Sequence, residues 1–480
     1  MMIGDWELGT ERRHLADKSR LEAGVPGSRL PPRDLALTAR RCLVVGLGVT
    51  GASALHYLRH VGTRVRATDR DPVRATIAGD AWLAPEKALS MLDETDLLVV
   101  SPGVPLDSEL VVEAARRGIE ILGDIELFAR AVKRVSGSES RTPEVIAITG
   151  TNGKSTVASL VAAMAAAAGK RVAAGANLGA PALDLLSADA EWYVLELSSF
   201  QLALTDSLVP SVAVVLNVSA DHLDRHPSLE DYAAAKARIY AHAVRTVANR
   251  DDPRVMAMIR GRGKVVSFGL DAPAPGQYGL RERDAKIWLC RGEEDLLAAD
   301  KVPLTGRHNL ANVLAAWALG GALGLGDAAM AEAVRAFHPL AHRLTPLGEH
   351  GGLSWFDDSK ATNVSAACAS LDGLLGSLVV IAGGEGKGQD FAPFVDCLAR
   401  HARAVVLIGA AADEIADSLA GRVPAARAEN MSDAVGVAAA LAEPGDRVVL
   451  SPACSSLDMF ENYGVRGDAF ARAVEALDGD

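Results

Sequence analysis

Three times along the chain a short apolar run ends in glycine or polar residues and passes into a helical pattern. The runs begin RCLVVGLGVTGAS at Arg41, VIAITGTNGKSTVAS at Val145 and LVVIAGGEGKG at Leu378. Apolar runs without alternation mark strands buried on both faces, as in parallel sheets covered by helices. Parallel neighbours need a crossover, and the helical stretches between the runs supply it. The pattern therefore predicts open parallel α/β sheets, whose ligands lie beyond the carboxyl ends of the strands. A chain of 480 residues exceeds one ordinary core, and about 150 residues per domain gives about three domains.

The spacing of these runs sets the expected boundaries. Residues 1–39 mix charge with Gly and Pro (GVPGSRLPP) without a sustained period, so a flexible N-terminal extension is expected. Residues 40–123 hold RCLVV, RVRATDRD and DLLVVSPGV, a Rossmann-like unit. Residues 124–339 carry four buried-strand candidates, in VIAIT, WYVLELSSF, SVAVVLNVS and TVANRDD, and form the predicted central sheet of P-loop ATPase-like type. Residues 340–480 repeat the pattern in LSWFDDSKATN, LVVIAGG, AVVLIGA and RVVLSPACSS, a second Rossmann-like unit read as an open parallel sheet. The polar ends of all three sheets then point at a shared cleft.

Composition removes several function classes. A net charge of −12 argues against a nucleic-acid partner, which needs a basic field. Apolar residues make up 49% of the chain, yet no uninterrupted apolar run approaches the ~20 residues of a spanning helix. The first residues, MMIGDWELGTERRH, lack the apolar core of a secretory signal, so a cytoplasmic protein with no membrane partner is expected. The five cysteines (Cys42, Cys290, Cys368, Cys397, Cys454) show no CxxC spacing, so neither a zinc site nor a disulfide framework is indicated. Cys454 has no dedicated histidine partner that would make it a nucleophile.

Two glycine-rich loops carry anion-binding chemistry. In GLGVTG (46–51) Gly46 allows a tight turn, Gly48 lets backbone N–H groups approach a phosphate, and Gly51 lets helix and strand pack closely. A dinucleotide site with Asp69 on a ribose, another phosphate ligand and a plain turn all remain open from this segment alone. In TGTNGKST, Gly150, Thr151, Asn152 and Gly153 precede Lys154, Ser155 and Thr156. Ile148 stands where the common GxxxxGK[ST] pattern has glycine, but the loop still offers N–H donors, a mobile cation and a hydroxyl for Mg2+. Lys154 at a helix N-terminus is electrostatically misplaced unless an anion sits there.

Side chains near the other strand tips extend this picture. Glu196 lies inside the apolar strand WYVLELSSF, where a carboxylate is costly unless paired or bound to metal. Asp221, His222, Asp224 and Arg225 cluster after the strand SVAVVLNVS. Lys236, in LEDYAAAKARIYAH, reads as an ordinary exposed helix lysine. Lys360 in DDSKATN and Lys387 in GGEGKGQD read singly as solvated loop lysines; with Ser455 and Ser456 they would form a pocket for carboxylates.

Taken together and in order, GLGVTG, SPG, GDIELF, ITGTNGKST, NLG, ELSSFQL, NVSADHLDRH, AAKARIY, GRHNLAN, DDSKATN, GGEGKG and LSPACSSLDMFENYGVRGDAF resemble the Mur ligase family from about residue 41 to the C-terminus. The short glycine spacing of the loop at 150–153 is the family's own. The resemblance implies that Gly48, Val49, Thr50, Asp69 and Arg70 hold the UDP part of a substrate rather than NAD, with Asn177 and His222 reaching its phosphates and Ser198 and Gln201 adding to that site. It implies ATP at Gly150–Thr156, Asn312, Arg343 and Asp358. Two Mg2+ ions are implied at Ser155, Glu196, His222 and a carbamylated Lys236. The resemblance places glutamate against Thr362 and Lys387 at its α-carboxylate and against Ser456 and residue 463 at its side-chain carboxylate, with Lys360 also among the substrate-binding residues; Tyr463 stands where the family usually has phenylalanine.

The implied activity is ATP-dependent addition of D-glutamate to UDP-N-acetylmuramoyl-L-alanine through an acyl phosphate, catalysed by a cytoplasmic monomer. Lys154, Glu196, His222 and Lys236 are the implied catalytic residues. Two other readings are carried beside it. A folate polyglutamate ligase would leave the unit at 41–103 without a role, and an NAD-dependent oxidoreductase would leave the loop at 150–156 idle.

Overall fold

The computed structural model describes residues 35–135, 142–187 and 189–478. Most of the expected N-terminal extension lies outside the described residues. Its last part is built into the fold: Leu35–Thr38 forms one helical turn, and Leu37 is buried in the adjoining core.

The first sheet contains β1 (Arg41–Val45), β2 (Arg64–Thr68), β3 (Leu97–Val100) and β4 (Glu120–Leu122), in the order β2-β1-β3-β4, all parallel. Helix Val49–His60 starts at the tip of β1. Helix Asp124–Val135 then leaves this unit, and its apolar face packs into a core shared by the first and second sheets. Phe128 meets Tyr193 edge-on at 5.2 Å, while Val44 and Leu58 belong to the same cluster as Leu195 and Ala213. Each fully buried aliphatic side chain in such a core contributes about 1.5–3 kcal/mol, so the first two sheets hold each other firmly.

The second sheet has nine strands rather than the four candidates of the sequence reading. Those four are β5 (Glu144–Thr149), β7 (Trp192–Glu196), β8 (Val212–Val215) and β9 (Thr246–Asn249). They are joined by β6 (Val172–Ala176), β10 (Val265–Phe268), β11 (Tyr278–Arg283), β12 (Lys286–Arg291) and β13 (Glu294–Ala298). Strands β6 to β10 are parallel, and β11-β12-β13 continue the sheet as an antiparallel meander. The first turn of the meander passes through Asp284 and Ala285, both with positive φ (51° and 56°), and no glycine marks it. Helices Lys154–Ala167 and Arg307–Ala322 cover one face, with Val157, Val161, Val313 and Trp317 fully buried.

The third sheet follows the order β14-β15-β19-β16-β17-β18, with β14 (Thr345–His350), β15 (Leu353–Asp357), β16 (Leu378–Gly383), β17 (Ala402–Ile408), β18 (Ala425–Arg427) and β19 (Arg447–Leu450). It is parallel except at one edge: β14 runs antiparallel to β15, which corrects the expectation of a wholly parallel unit. The switch point lies beside β19, where chain order reverses. Loops 358–363, 383–389 and 451–456 leave the carboxyl ends of β15, β16 and β19, and Asn363 in the first of them meets Asn152 after β5 and Asp221 after β8. Among the described residues no helix is long and apolar enough to cross a membrane.

Candidate active site

The loop after β5 has the form of an anion cradle. Gly153 takes φ +84° directly before helix Lys154–Ala167, and a Cβ there would lie 2.3 Å from Asn312 Oδ1. Only glycine fits both constraints. Thr151 is fixed by exchanging hydrogen bonds with Ser219, and the Asn152 N–H donates to Asn217 Oδ1 at 2.8 Å. Ser155 and Thr156 are buried in the first helical turn. The Lys154 ammonium donates to the carbonyls of Gly150 and Thr151, both at 2.9 Å. Burial lowers its pKa, with Arg343 acting in the same direction and Glu196 and Asp221 opposing. A polyanion here would remove that penalty.

Behind the loop lies a buried set of polar side chains. Glu196, last in β7, is 3% exposed. Its Oε1 accepts from Asn177 Nδ2 at 2.7 Å, and its Oε2 is buried with no hydrogen-bond partner. Asn177, which the resemblance aims at substrate phosphates, is thus engaged with Glu196 through both its backbone N–H and its amide. His222 has φ +55°, a left-handed conformation that a side chain of this size adopts at a cost. Burial pushes its imidazole down to about 4, against the pull of Asp221 3.8 Å away.

Lys236 overturns the surface-lysine reading. It is 1% exposed on helix Leu229–Ala237 and donates to the Gly150 carbonyl at 2.8 Å. Its ammonium stands 4.3 Å over the Tyr232 ring. Burial, with the nearby Lys154 charge, holds its pKa well below the ordinary lysine value.

The third sheet brings its cations to the same place. Arg343, Lys360 and Lys387 all act on groups of the central sheet: Arg343 on Lys154, and Lys387 on His222. Burial lowers Lys360 to about 7, with Arg343, Lys154 and Lys387 pushing the same way and Glu196 opposing. Lys360 Nζ stands 3.8 Å over the ring of Tyr463, the first residue of helix Tyr463–Glu475. Thr362 lies half-buried in the loop between them, and Ser456 is buried at the tip of β19. These loop lysines are therefore not solvated singly; they form one electropositive wall with Lys154.

Other predicted contacts are engaged within the protein. Asp358 accepts from the Leu344 N–H and the Ser451 hydroxyl, both at 3.1 Å, and burial raises it to about 7. Asn312 is buried and donates to Asn309. Ser198 caps helix Ser199–Ala203 in a capping box with Gln201, whose amide also donates to Asp124 at 3.0 Å. These two residues tie the GDIELF segment to the central sheet.

A separate cavity of about 530 Å³ opens at the tips of β1 and β2, lined among others by Gly48, Val49, Thr50, Asp69, Arg70 and Arg74. A Cβ on Gly51 would lie 1.8 Å from the Gly46 carbonyl, so helix Val49–His60 can approach only because that position is glycine. The Asp69 carboxylate accepts from the N–H groups of Leu47 and Asp71 and meets Arg74 at 3.4 Å. It shapes the loop and pairs with Arg74, and Arg70 and Arg74 both line the cavity.

Sequence reasoning missed two residues that build the site. Asn363 caps helix Val364–Leu371 through Oδ1 while its Nδ2 donates to Asn152 Oδ1 and Asp221 Oδ2, each at 3.1 Å. Arg466, 1% exposed, donates to the Ser359 hydroxyl and carbonyl and to the Cys454 carbonyl. It joins the loops after β15 and β19. A polar residue ending DDSKATN before an apolar helix was the available cap signal for Asn363; an arginine within a helix gave none.

Two α/β units whose strand tips meet at a phosphate loop, a buried carboxylate and converging cations, with a further unit carrying a glycine-lined cavity, define a nucleotide-binding protein of modular α/β build. Family models locate it more closely. The Mur ligase MurD-like N-terminal domain matches residues 40–123, the Mur ligase middle domain 148–320, and the Mur ligase glutamate ligase domain 342–454. The UDP-N-acetylmuramoylalanine–D-glutamate ligase of Pseudomonas aeruginosa is 47% identical, covering 91% of this chain and 98% of that protein. The enzyme of the same name from Nitrosococcus oceani is 45% identical, covering 92% and 97%. The solved structure of MurF from Acinetobacter baumannii shares the fold with TM-score 0.60 at 17% identity, over 95% of this chain and 96% of that one. The chain belongs to the Mur ligase family.

Proposed function

We propose that this chain is an ATP-dependent amide ligase joining D-glutamate to UDP-N-acetylmuramoyl-L-alanine in cytoplasmic peptidoglycan precursor synthesis. The observation that carries the reading is the convergence of Lys154 with Arg343, Lys360 and Lys387 from another unit, around the buried Glu196. Such a site suits a reaction between polyanions, and the relatives' names supply the substrates. The boundaries 40–123, 124–339 and 340–480 then separate the parts that grip UDP-sugar, ATP and glutamate. Release of ADP that depends on both acceptor substrates tests the reading.

The residues fit divalent cations: Glu196 Oε2 is a buried acceptor without a hydrogen-bond partner, and the Glu196 charge acts on both Lys154 and Lys236. Ser155, Glu196, His222 and Lys236 as its carbamate would hold two Mg2+ ions, which supply charge neutralisation on the transferring phosphoryl group. Lys154 turns from the loop carbonyls to the β- and γ-phosphates, with the loop N–H groups beneath them.

A carboxylate is a poor electrophile. In the proposed first step the alanine carboxylate oxygen attacks the γ-phosphorus and ADP leaves, giving an acyl phosphate. Glutamate, its carboxylates held by Lys360, Thr362 and Lys387 and by Ser456 and the Tyr463 backbone, is positioned with its amine at the acyl carbon. The amine attacks, the C–N bond forms, phosphate departs, and the amine proton passes to solvent. Contact between the two loop sets excludes water that would hydrolyse the acyl phosphate. A site in GLGVTG for the UDP moiety rests on the cavity beside Arg70 and Arg74.

A further inference from the structure

Away from the cleft, two helices of the third unit bring together four side chains that the sequence keeps apart. Cys368 lies on helix Val364–Leu371, and Asp372 is the C-cap of that helix. Cys397 and His401 stand one turn apart on helix Ala392–His401. The ligand atoms of Asp372, Cys397 and His401 all lie within 4.8 Å of one another. His401 Nε2 is 2.7 Å from Asp372 Oδ1, and Cys397 Sγ is 4.0 Å from the same oxygen. Cys368 adjoins this trio: its carbonyl accepts from the Cys397 thiol at 3.9 Å, and its own thiol donates to the Pro393 carbonyl at 3.7 Å. From these observations we propose that Cys368, Asp372, Cys397 and His401 form a binding site for a thiophilic divalent cation, with Zn2+ the ion that fits.

Two sulfurs, one imidazole nitrogen and one carboxylate oxygen are a zinc donor set. A tetrahedron with Zn–N near 2.0 Å and Zn–S near 2.3 Å has edges of roughly 3.3–3.8 Å. The observed 2.7 and 4.0 Å among Asp372, Cys397 and His401 bracket those edges, and turning the Cys368 thiol away from the Pro393 carbonyl toward Cys397 completes the set. Asp372 can adjust to it, since its side chain is 51% exposed. Binding would release the two thiol protons to solvent. Two thiolates, a carboxylate and a dication leave one net negative charge, which Arg400, now 3.0 Å from Asp372, would balance. Asp372 also borders a cleft of about 290 Å³ with Gly306, Arg307 and Gly373, which gives an ion a route in. The 29-residue separation of the cysteines hides the set from any spacing rule; the packing of two helices assembles it.

The bland alternative is a surface cluster of Asp372, Arg400 and His401 over two packed thiols. Titration of the reduced full-length protein with Co2+, in saturating Mg2+, separates the two. The proposal expects one equivalent bound with thiolate-to-metal charge-transfer absorption, displaced by Zn2+, and a Zn2+-dependent rise in Tm. His401→Ala, at the end of its helix, should keep the wild-type circular dichroism and bind at least about 100-fold more weakly; Cys397→Ser should lose the absorption. No charge-transfer absorption in the wild type, or an unchanged titration in His401→Ala, overturns it.

Discussion

Lys154 and Lys236 donate to one carbonyl oxygen, that of Gly150, at 2.9 and 2.8 Å. Their ammonium groups are therefore no more than about 6 Å apart, where two unit charges repel by about 3 kcal/mol at an effective dielectric of 20. The buried member of the pair yields: Lys236 is the one whose pKa falls furthest below the ordinary value. A neutral amine beside Glu196 and the loop is a nucleophile for CO2, and the carbamate would turn a repelling cation into an anionic ligand.

Replacing Lys236 with Ala should therefore lower kcat by at least about 100-fold, the upper range for removing a group that supports a metal. Short-chain carboxylic acids should restore part of the loss by occupying the vacated space. Activity of Lys236→Ala equal to wild type, or no recovery with acetate or formate, counts against the carbamate.

Asn177 makes a prediction that separates two roles. Because its amide holds Glu196 Oε1 at 2.7 Å, Asn177→Ala should raise the Mg2+ concentration needed for half-maximal rate by about 10- to 100-fold. A change confined to KM for the UDP-sugar, with the Mg2+ dependence untouched, would restore the phosphate-contact role instead.

Asn363 joins the third unit to the phosphate loop. Asn363→Asp keeps the acceptor that caps its helix but loses the donor to Asn152 and Asp221. Hydrogen bonds to charged groups are worth about 1.5–3 kcal/mol, so kcat/KM should fall about 10- to 150-fold while the helix cap and far-UV circular dichroism persist. Unchanged kinetics would mean that the contact does not organise the reacting state.

The strands most legible in the sequence were those with unbroken apolar runs, such as β5, β8 and β16, because burial on both faces leaves no alternation to confuse them. The meander β11-β12-β13 was hidden for the opposite reason: YGLRERDAKIWLCR is half-exposed and turns at Asp284 and Ala285 without glycine. At the site, Glu196 announced itself because a carboxylate in an apolar strand needs a reason. Lys236 did not, since its helix carries glutamate, aspartate and alanine like any surface helix, and only packing against Gly150 and Tyr232 buries it. Asn177, Asn363 and Arg466 act through partners 12 to 211 residues away, distances no local pattern encodes.

Lys360 gives the pH dependence. Its folded value is lowered to about 7, below the unfolded value near 10.4. Burying the charge thus costs stability in full below pH 7, and that cost is relieved as pH rises from about 7 to 10.4. If Lys360 holds a glutamate carboxylate as proposed, binding needs its charged form, so kcat/KM for glutamate should decline above about pH 7 while global stability does not. Lys360→Arg should remove the decline; a limb that persists there would assign it to another group.

The ammonium of Lys360 rests on the Tyr463 ring rather than on its hydroxyl, and the Tyr463 carbonyl accepts from Ser359 at 2.7 Å. Tyr463→Phe should keep KM for glutamate within about twofold. Tyr463→Ala removes a cation–π contact worth about 1–2 kcal/mol and should raise KM about 5- to 30-fold. A large loss in Tyr463→Phe would show that the phenol itself shapes the pocket.

The most direct measurement is ADP release with UDP-N-acetylmuramoyl-L-alanine and each glutamate enantiomer in turn. Release should require the UDP-sugar, rise with D-glutamate well above L-glutamate, and disappear in Lys154→Ala. Release that ignores the UDP-sugar, or that proceeds equally with the two enantiomers, would contradict the account.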